Sequence, residues 1–388
     1  MNKDIDFDVE VIRSPVVSEM YSLYSSRILP MHLAETDFCC PHIVTEQLIN
    51  RVSLRHFGYA SDYISFNESV AGWMLRRHAL EVPLSWVNYS PSTGAAVLYG
   101  VEMATNVGDE VIVLTPAYHV FRKIIQNSDR VYHSVPLRKK TDGYDIDFVE
   151  LERIFCERKA KAIIFCNPHN PTGQVWGEVE IENLVRLCRE HNVFIIADEI
   201  YGDLVYEGNY TSLLKFRQPL EDRLMVCISP SKSFSLSGLR CGAVIIPCDS
   251  LYKKYNFLLT RHKTNDRNSL STVALQAAFN YGDDYVDQMV KYIEGNKILM
   301  VNYFKEYIPE FQLIEPQYGY MAWINTSLLE AKVNMPAADF LHDFADIGVR
   351  DGTVFDNGEG YIRMSFGFPR ATLMKALDKI TVAISEYS

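Results

Sequence analysis

Lys232 follows directly on the apolar run Leu224–Ile228, inside Ser-Pro-Ser-Lys-Ser-Phe-Ser-Leu-Ser-Gly-Leu-Arg at 229–240. A lysine at the end of a buried strand, set among small hydroxyl side chains, is poorly placed as a solvated charge. It is well placed to be a neutral amine that attacks a carbonyl carbon. The hydroxyls of Ser229 and Ser231 and the guanidinium of Arg240 can hold an anion beside it. An aldehyde that also carries a phosphate meets both demands, and pyridoxal phosphate (PLP) is such a molecule.

Further residues have chemistry that suits the same ligand. Asp198 ends the run Val-Phe-Ile-Ile-Ala-Asp-Glu at 193–199, and a carboxylate at the end of a buried strand needs a partner. A pyridinium nitrogen is one such partner; a helix N-cap role is the alternative. Tyr201 lies three residues on. Asn170, in Asn-Pro-His-Asn-Pro-Thr-Gly at 167–173, could donate to the ring's phenolic oxygen, as could Tyr201, although the segment also reads as a plain Pro/Gly turn. Ser92, Thr93 and Gly94 open a small-residue helix, whose free amides suit a phosphate. Tyr118, in Thr-Pro-Ala-Tyr-His, could stack on an aromatic ring or simply pack. Arg363, in Tyr-Ile-Arg-Met-Ser-Phe, is a charge inside an apolar strand; it either meets a substrate carboxylate or faces water on an edge.

The elements that must carry these residues alternate. Apolar strand-like runs occur at 110–114, 162–166, 193–197, 224–228 and 242–246, with amphipathic stretches such as 179–190 between several of them. This pattern predicts an α/β fold with a mostly parallel sheet between helices, and ligands bind beyond the strand carboxyl ends of such sheets. The last part reads differently. A long helix is expected at 285–308, short strands at 311–314, 320–324 and 360–366, and helices at 336–346 and 371–387. The expectation is a large PLP-binding domain at 45–285 and a smaller α+β domain from 1–44 and 286–388.

Bulk composition narrows the function class. The chain has 388 residues, 48% hydrophobic, enough for one large core and a smaller satellite. A net charge of −11 argues against nucleic acid or an anionic membrane as partner. No apolar run reaches membrane-span length, and the first residues lack a signal-peptide pattern. The eight cysteines form no CxxC pair, so the expectation is a reducing, cytoplasmic setting and no metal site. No GxGxxG follows a strand near the N-terminus, which disfavours a dinucleotide-binding dehydrogenase.

Taken together, Asn170, Asp198 with Tyr201, Ser229 with Lys232, Arg240 eight positions further on, and Arg363 resemble the class I/II aminotransferase superfamily of fold-type-I PLP enzymes over nearly the whole chain. The resemblance implies an aspartate aminotransferase-like fold, with Lys232 as Schiff-base lysine and proton shuttle. It implies Asp198 on the ring nitrogen, Asn170 and Tyr201 on the ring oxygen, and Tyr118 stacked on the ring. Ser92, Thr93, Ser229 and Arg240 would hold the phosphate, and Arg363 the substrate carboxylate. It also implies a homodimer with shared active sites, in which Tyr59 of Phe-Gly-Tyr reaches the neighbouring subunit's phosphate.

Within the superfamily the chain is most similar to the cystathionine β-lyase-like C–S lyases. The similarity lies in Pro-His-Asn-Pro-Thr-Gly-Gln-Val-Trp at 168–176, Phe-Gly-Tyr at 57–59, Trp73 with Arg77-His78, and Phe-Gly-Phe-Pro-Arg at 366–370. Where that branch reads Pro-Met-Trp-Val-Ala-Asp-Met-Asp-Phe, this chain has Pro-Met-His-Leu-Ala-Glu-Thr-Asp-Phe at 30–38. His32, Glu35 and Thr36 would then make a polar pocket suited to a polar or cationic substrate side chain, or else only pack a domain junction. Tyr201, Arg240 and Thr172 look transaminase-like. The resemblance implies Cα deprotonation of a free amino acid, followed by elimination or elimination–replacement, C–S lyase-like or cyclising. Transamination with a 2-oxo acid acceptor is the alternative, and a non-catalytic binding module of the same fold is a third reading.

Overall fold

The computed structural model describes residues 5–11, 18–158, 160–206, 210–220 and 222–387. The reading of the first four residues therefore lies outside the described part.

Seven strands form the central sheet, in the order Val87–Ser90, Gly242–Ile245, Leu224–Ile228, Phe194–Asp198, Ala162–Cys166, Glu110–Thr115, Val131–Pro136. Neighbours are parallel except for the two pairs made by Gly242–Ile245, which are antiparallel. Every position of the three consecutive strands Ala162–Cys166, Phe194–Asp198 and Leu224–Ile228 is buried. That is why they read as continuous apolar runs rather than alternating ones. Val131–Pro136 was not anticipated. It lies at the sheet edge, is partly exposed and carries Tyr132, His133 and Ser134, so it lacks the apolar signature.

Helices cover both faces. On one face Thr93–Ala104, Val120–Asn127 and Asp249–Arg261 bury an apolar cluster that includes Val97, Phe121, Ile196, Met225 and Tyr255. Gly100 allows the closest approach. A Cβ there would lie 2.5 Å from Met225 Cε and 3.1 Å from Ile196. The other face joins a larger cluster that runs on into the C-terminal elements.

Those elements begin with the helix Asp283–Tyr307. A four-stranded antiparallel sheet follows, in the order Gln312–Ile314, Met321–Asn325, Tyr361–Ser365, Arg350–Asp351. Helices Ala337–Phe344 and Arg370–Glu386 accompany it. The early strand Leu29–Pro30 pairs in parallel with Ile347–Gly348. Asp37 N–H donates to the Gly367 carbonyl, and the Tyr285 hydroxyl to the Cys39 carbonyl. These bonds tie residues 29–39 to the C-terminal elements. Among the described residues, no helix is long and apolar enough to cross a membrane.

Candidate active site

Three neighbouring strand ends deliver the chemistry. Cys166, Asp198 and Cys227 stand in register across the sheet. Beyond them leave the loop holding Asn170, the segment holding Tyr201 and the turn holding Lys232. Lys232 Nζ donates to the Ala34 carbonyl at 2.6 Å. Burial lowers its amine from 10.5 to about 8, with Arg363 pushing the same way and Glu35 and Asp198 opposing. The amine thus loses its proton far more readily than a surface lysine.

Asp198 is 6% exposed, and its Oδ1 accepts the Ile200 N–H at 3.3 Å. Desolvation raises its carboxyl from 3.8 to about 6, partly offset by that N–H and by Lys232. No α-helix starts there, so Asp198 is not an α-helix N-cap. A buried carboxylate with so little compensation fits a cationic ring nitrogen.

Arg363 is 2% exposed and sits on an inner strand, between Met321–Asn325 and Arg350–Asp351, which removes the edge-strand alternative. Its Nη1 donates to Asn170 Oδ1 at 3.0 Å and its Nη2 to the His32 carbonyl at 3.1 Å. Phe355 backs the guanidinium, 4.8 Å from the ring centroid. The bond to Arg363 fixes the Asn170 amide, so its Nδ2 is the end left for a ligand. The Asn170 loop is itself pinned. Asn167 Nδ2 donates to the Thr211 carbonyl, and Trp176 N–H to Asn167 Oδ1.

A helix start and a cluster of hydroxyls meet at the other end. Ser92 caps Thr93–Ala104 by accepting the Ala95 N–H at 3.1 Å. Ser229 Oγ lies 2.5 Å from Ser231 Oγ and donates to the Cys241 carbonyl at 2.6 Å. Gly242 brings these pieces together. A Cβ there would sit 3.7 Å from Ser229 Cβ and 3.8 Å from the Ser92 carbonyl carbon. Gly94 leaves the helix start open. Arg240 has a left-handed backbone, φ 50°, and an exposed side chain.

Tyr118 is half-buried, in the electrostatic field of both Arg363 and Asp198. Tyr201 is buried against Tyr318 and Tyr320, ring centroids 5.3 and 6.4 Å away, and burial pushes its hydroxyl pKa up.

The polar strip packs closely at the junction, one of its two expected roles. Thr36 Oγ1 is 2.6 Å from Ser235 Oγ, tying the strip to the Lys232 turn. His32 is fully buried and lies within the field of Arg350 and Arg363, which with burial lowers it to about 4. Neither is suited to receive a cation. The Glu35 charge acts on Lys232 and Tyr320. Tyr59 is 91% exposed, on the connection between the helices His42–Ser53 and Ile64–His78.

Sequence reasoning missed an anchor behind the lysine. Asp203 accepts from Trp73 Nε1 at 3.1 Å and Ser233 Oγ at 3.1 Å, and sits 3.0 Å from His78 Nε2. It thereby holds the residue next to Lys232. Its signal was the aspartate five residues after Asp198, together with the Trp73…His78 motif already noted. Tyr320, whose hydroxyl donates to the Ala34 carbonyl at 3.3 Å, carried no distinguishing signal.

These residues fit PLP. Asp198 suits the ring nitrogen, Lys232 the aldehyde carbon, and Ser92, Thr93, Ser229 and Ser231 the phosphate. The family model for aminotransferase class I and II matches residues 32–380. The chain is 31% identical over 361 residues to cystathionine beta-lyase PatB of Bacillus subtilis, covering 92% of each. Among solved structures it is similar to the PLP-bound C-S lyase of Staphylococcus hominis, with TM-score 0.91, 26% identity and 98% of each chain covered. It is similar also to a PLP-bound putative aminotransferase of Clostridium difficile, with TM-score 0.92, 29% identity, and 98% of this chain and 100% of that one covered. A lysine, an aspartate and an arginine converging at these strand ends, in a chain matched across almost its whole length, place the protein in the class I and II aminotransferase family of pyridoxal phosphate enzymes.

Proposed function

We propose that this enzyme breaks a Cβ–S bond in a free L-α-amino acid. Amino acid and water give a thiol, a 2-oxo acid and ammonia. The observation that carries the reading is Lys232 at a buried strand end, its amine lowered by burial and in the fields of Asp198 and Arg363. The likeness to a cystathionine beta-lyase and a C-S lyase supports elimination over its alternatives.

PLP, when bound, supplies an electron sink for the bond broken at Cα. Arg363 grips the substrate α-carboxylate, and its bond to Asn170 orients the planar fork. Lys232 Nζ takes the Cα proton, which its low basicity lets it pass on. Asp198 keeps the ring nitrogen charged, and the leaving sulfur departs with its bonding pair as a thiolate. Tyr201, with its buried hydroxyl, would donate to the ring oxygen.

Transamination is the second reading, favoured by Tyr201 where the lyase branch often carries histidine. Purified enzyme incubated with S-methyl-L-cysteine and no 2-oxo acid discriminates the two. A lyase gives ammonia and pyruvate in step with the thiol; stalling after one equivalent overturns the proposal.

The arrangement also supports a homodimer, since Leu54, Phe57, Tyr59 and Ile64 form an exposed apolar stretch, 58–91% exposed. Tyr59 then serves the neighbouring subunit's phosphate. Division into a PLP-binding domain at 45–285 and a small domain from 1–44 and 286–388 belongs to the same proposal. All eight cysteines are free, which supports a cytoplasmic, reducing location.

A further inference from the structure

A group of basic side chains beside Arg363 has no role in the reaction above. Arg350 stands directly opposite Arg363 in the antiparallel pair of strands. Residues so opposed share a sheet face, with Cβ atoms about 4.5–5.5 Å apart, so both guanidinium groups project to the same side. Like charges repel there, and each lies in the other's field. Among the described residues, no carboxylate pairs with Arg350, and its Nε is buried without a hydrogen-bond partner, as is Arg363 Nε.

Two imidazoles complete the group. His32 is fully buried with neither ring nitrogen bonded, and His119 Nδ1 is likewise buried and unbonded. The edge of Tyr24 meets the His32 ring at 5.0 Å, and Phe355 meets His119 at 6.0 Å, edge to face. Both imidazoles feel Arg350 and Arg363, and His119 also Lys123; burial chiefly lowers both to about 4, so both are neutral at pH 7. Tyr118 feels the same two arginines, which sets the group beside the PLP-stacking position. These five buried nitrogens without hydrogen-bond partners make a cluster chemically suited to an anion.

We propose that Arg350, with His32 and His119, receives a second anionic group on the substrate's side chain, so that the preferred substrate is an α-amino acid with a distal carboxylate. This rests on the reading that Arg363 holds the α-carboxylate. Arg350 offers a planar fork of donors, and a neutral imidazole offers an N–H and can take up a proton beside an anion. Glu35 acts on Lys232, while at the Tyr118 end Arg350 and Arg363 are opposed by Asp198 and Glu19.

Three amino acids that share one scissile bond test it: S-carboxymethyl-, S-methyl- and S-(2-aminoethyl)-L-cysteine, with O-phospho-L-serine as a phosphate probe. Affinity is read on the PLP-loaded enzyme by the visible absorbance change at Lys232. The carboxymethyl compound binds tightest of the four. Its advantage over the methyl compound falls about 10–100-fold in Arg350→Gln and is largely kept in Arg350→Lys. In the cofactor-free wild type, succinate shifts the imidazole resonances of His32 and His119, and acetate does not. An unchanged ratio in Arg350→Gln, preference for the aminoethyl compound, or succinate leaving both imidazoles unmoved overturns the proposal. Tighter binding of O-phospho-L-serine overturns the carboxylate assignment. Failure of every amino acid to react, with succinate still moving both imidazoles, counts against C–S elimination instead.

Discussion

At neutral pH two charges at the heart of the site are held against their solvation preference. Asp198 is ionised though burial disfavours it, and Lys232 is largely protonated though burial disfavours that too. For Asp198 the folded-state value, about 6, exceeds the ordinary 3.8. The folded protein therefore binds more protons than the unfolded chain between those values, and its stability falls as pH rises through that window. The expected loss in the cofactor-free protein is on the order of 2–3 kcal/mol. Urea titrations at pH 4 and 6.5 on wild type and Asp198→Asn measure it, and the variant's slope should be flatter. For Lys232 the folded value lies below the ordinary one, so its contribution rises with pH between about 8 and 10.5. Lys232→Ala should remove the borohydride-trappable adduct and lower elimination by about 10²–10⁴-fold in a coupled ammonia assay. Lys232, Asp198 and Arg363 were legible from sequence because each is a charge attached to an apolar run, a placement that needs a partner. Arg350 was not, since its two-residue strand carries no periodicity, and its significance appears only once pairing sets it against Arg363.

Among the elements, the helix Thr93–Ala104 would have the most direct hold on the cofactor under the proposed function. Its start would serve the phosphate, and its body rests on Met225 and Ile196 through Gly100. Gly100→Val should lift the helix off the sheet, destabilise the protein by about 1–3 kcal/mol and weaken PLP retention. Thermal melts and dialysis against PLP-free buffer check both effects; full retention with an unchanged melt would show that the sheet yields instead. Buried strands were readable because both their faces are apolar. The edge strand Val131–Pro136 was not, because half-exposed residues follow different rules. Helix ends in the C-terminal part moved by one or two residues from expectation, Asp283–Tyr307 against 285–308 being typical.

The whole molecule leaves its most exposed aromatic, Tyr59, far more open than a monomer requires. Replacing Leu54 and Ile64 by aspartate should shift the protein to monomers in light scattering and lower PLP affinity with it, because Tyr59 no longer reaches a neighbour. A variant that stays dimeric would place the contact elsewhere. The fold also carries its own optical gauge. Trp73 is 1% exposed, stacked on Phe279 at 4.9 Å and bonded to Asp203, whose other oxygen holds Ser233. Only one peptide bond separates Ser233 from the lysine that bears the reactive amine. The indole is thus rigidly yoked to the turn that changes when the lysine is occupied, and its emission should dim as a yellow chromophore settles within energy-transfer range.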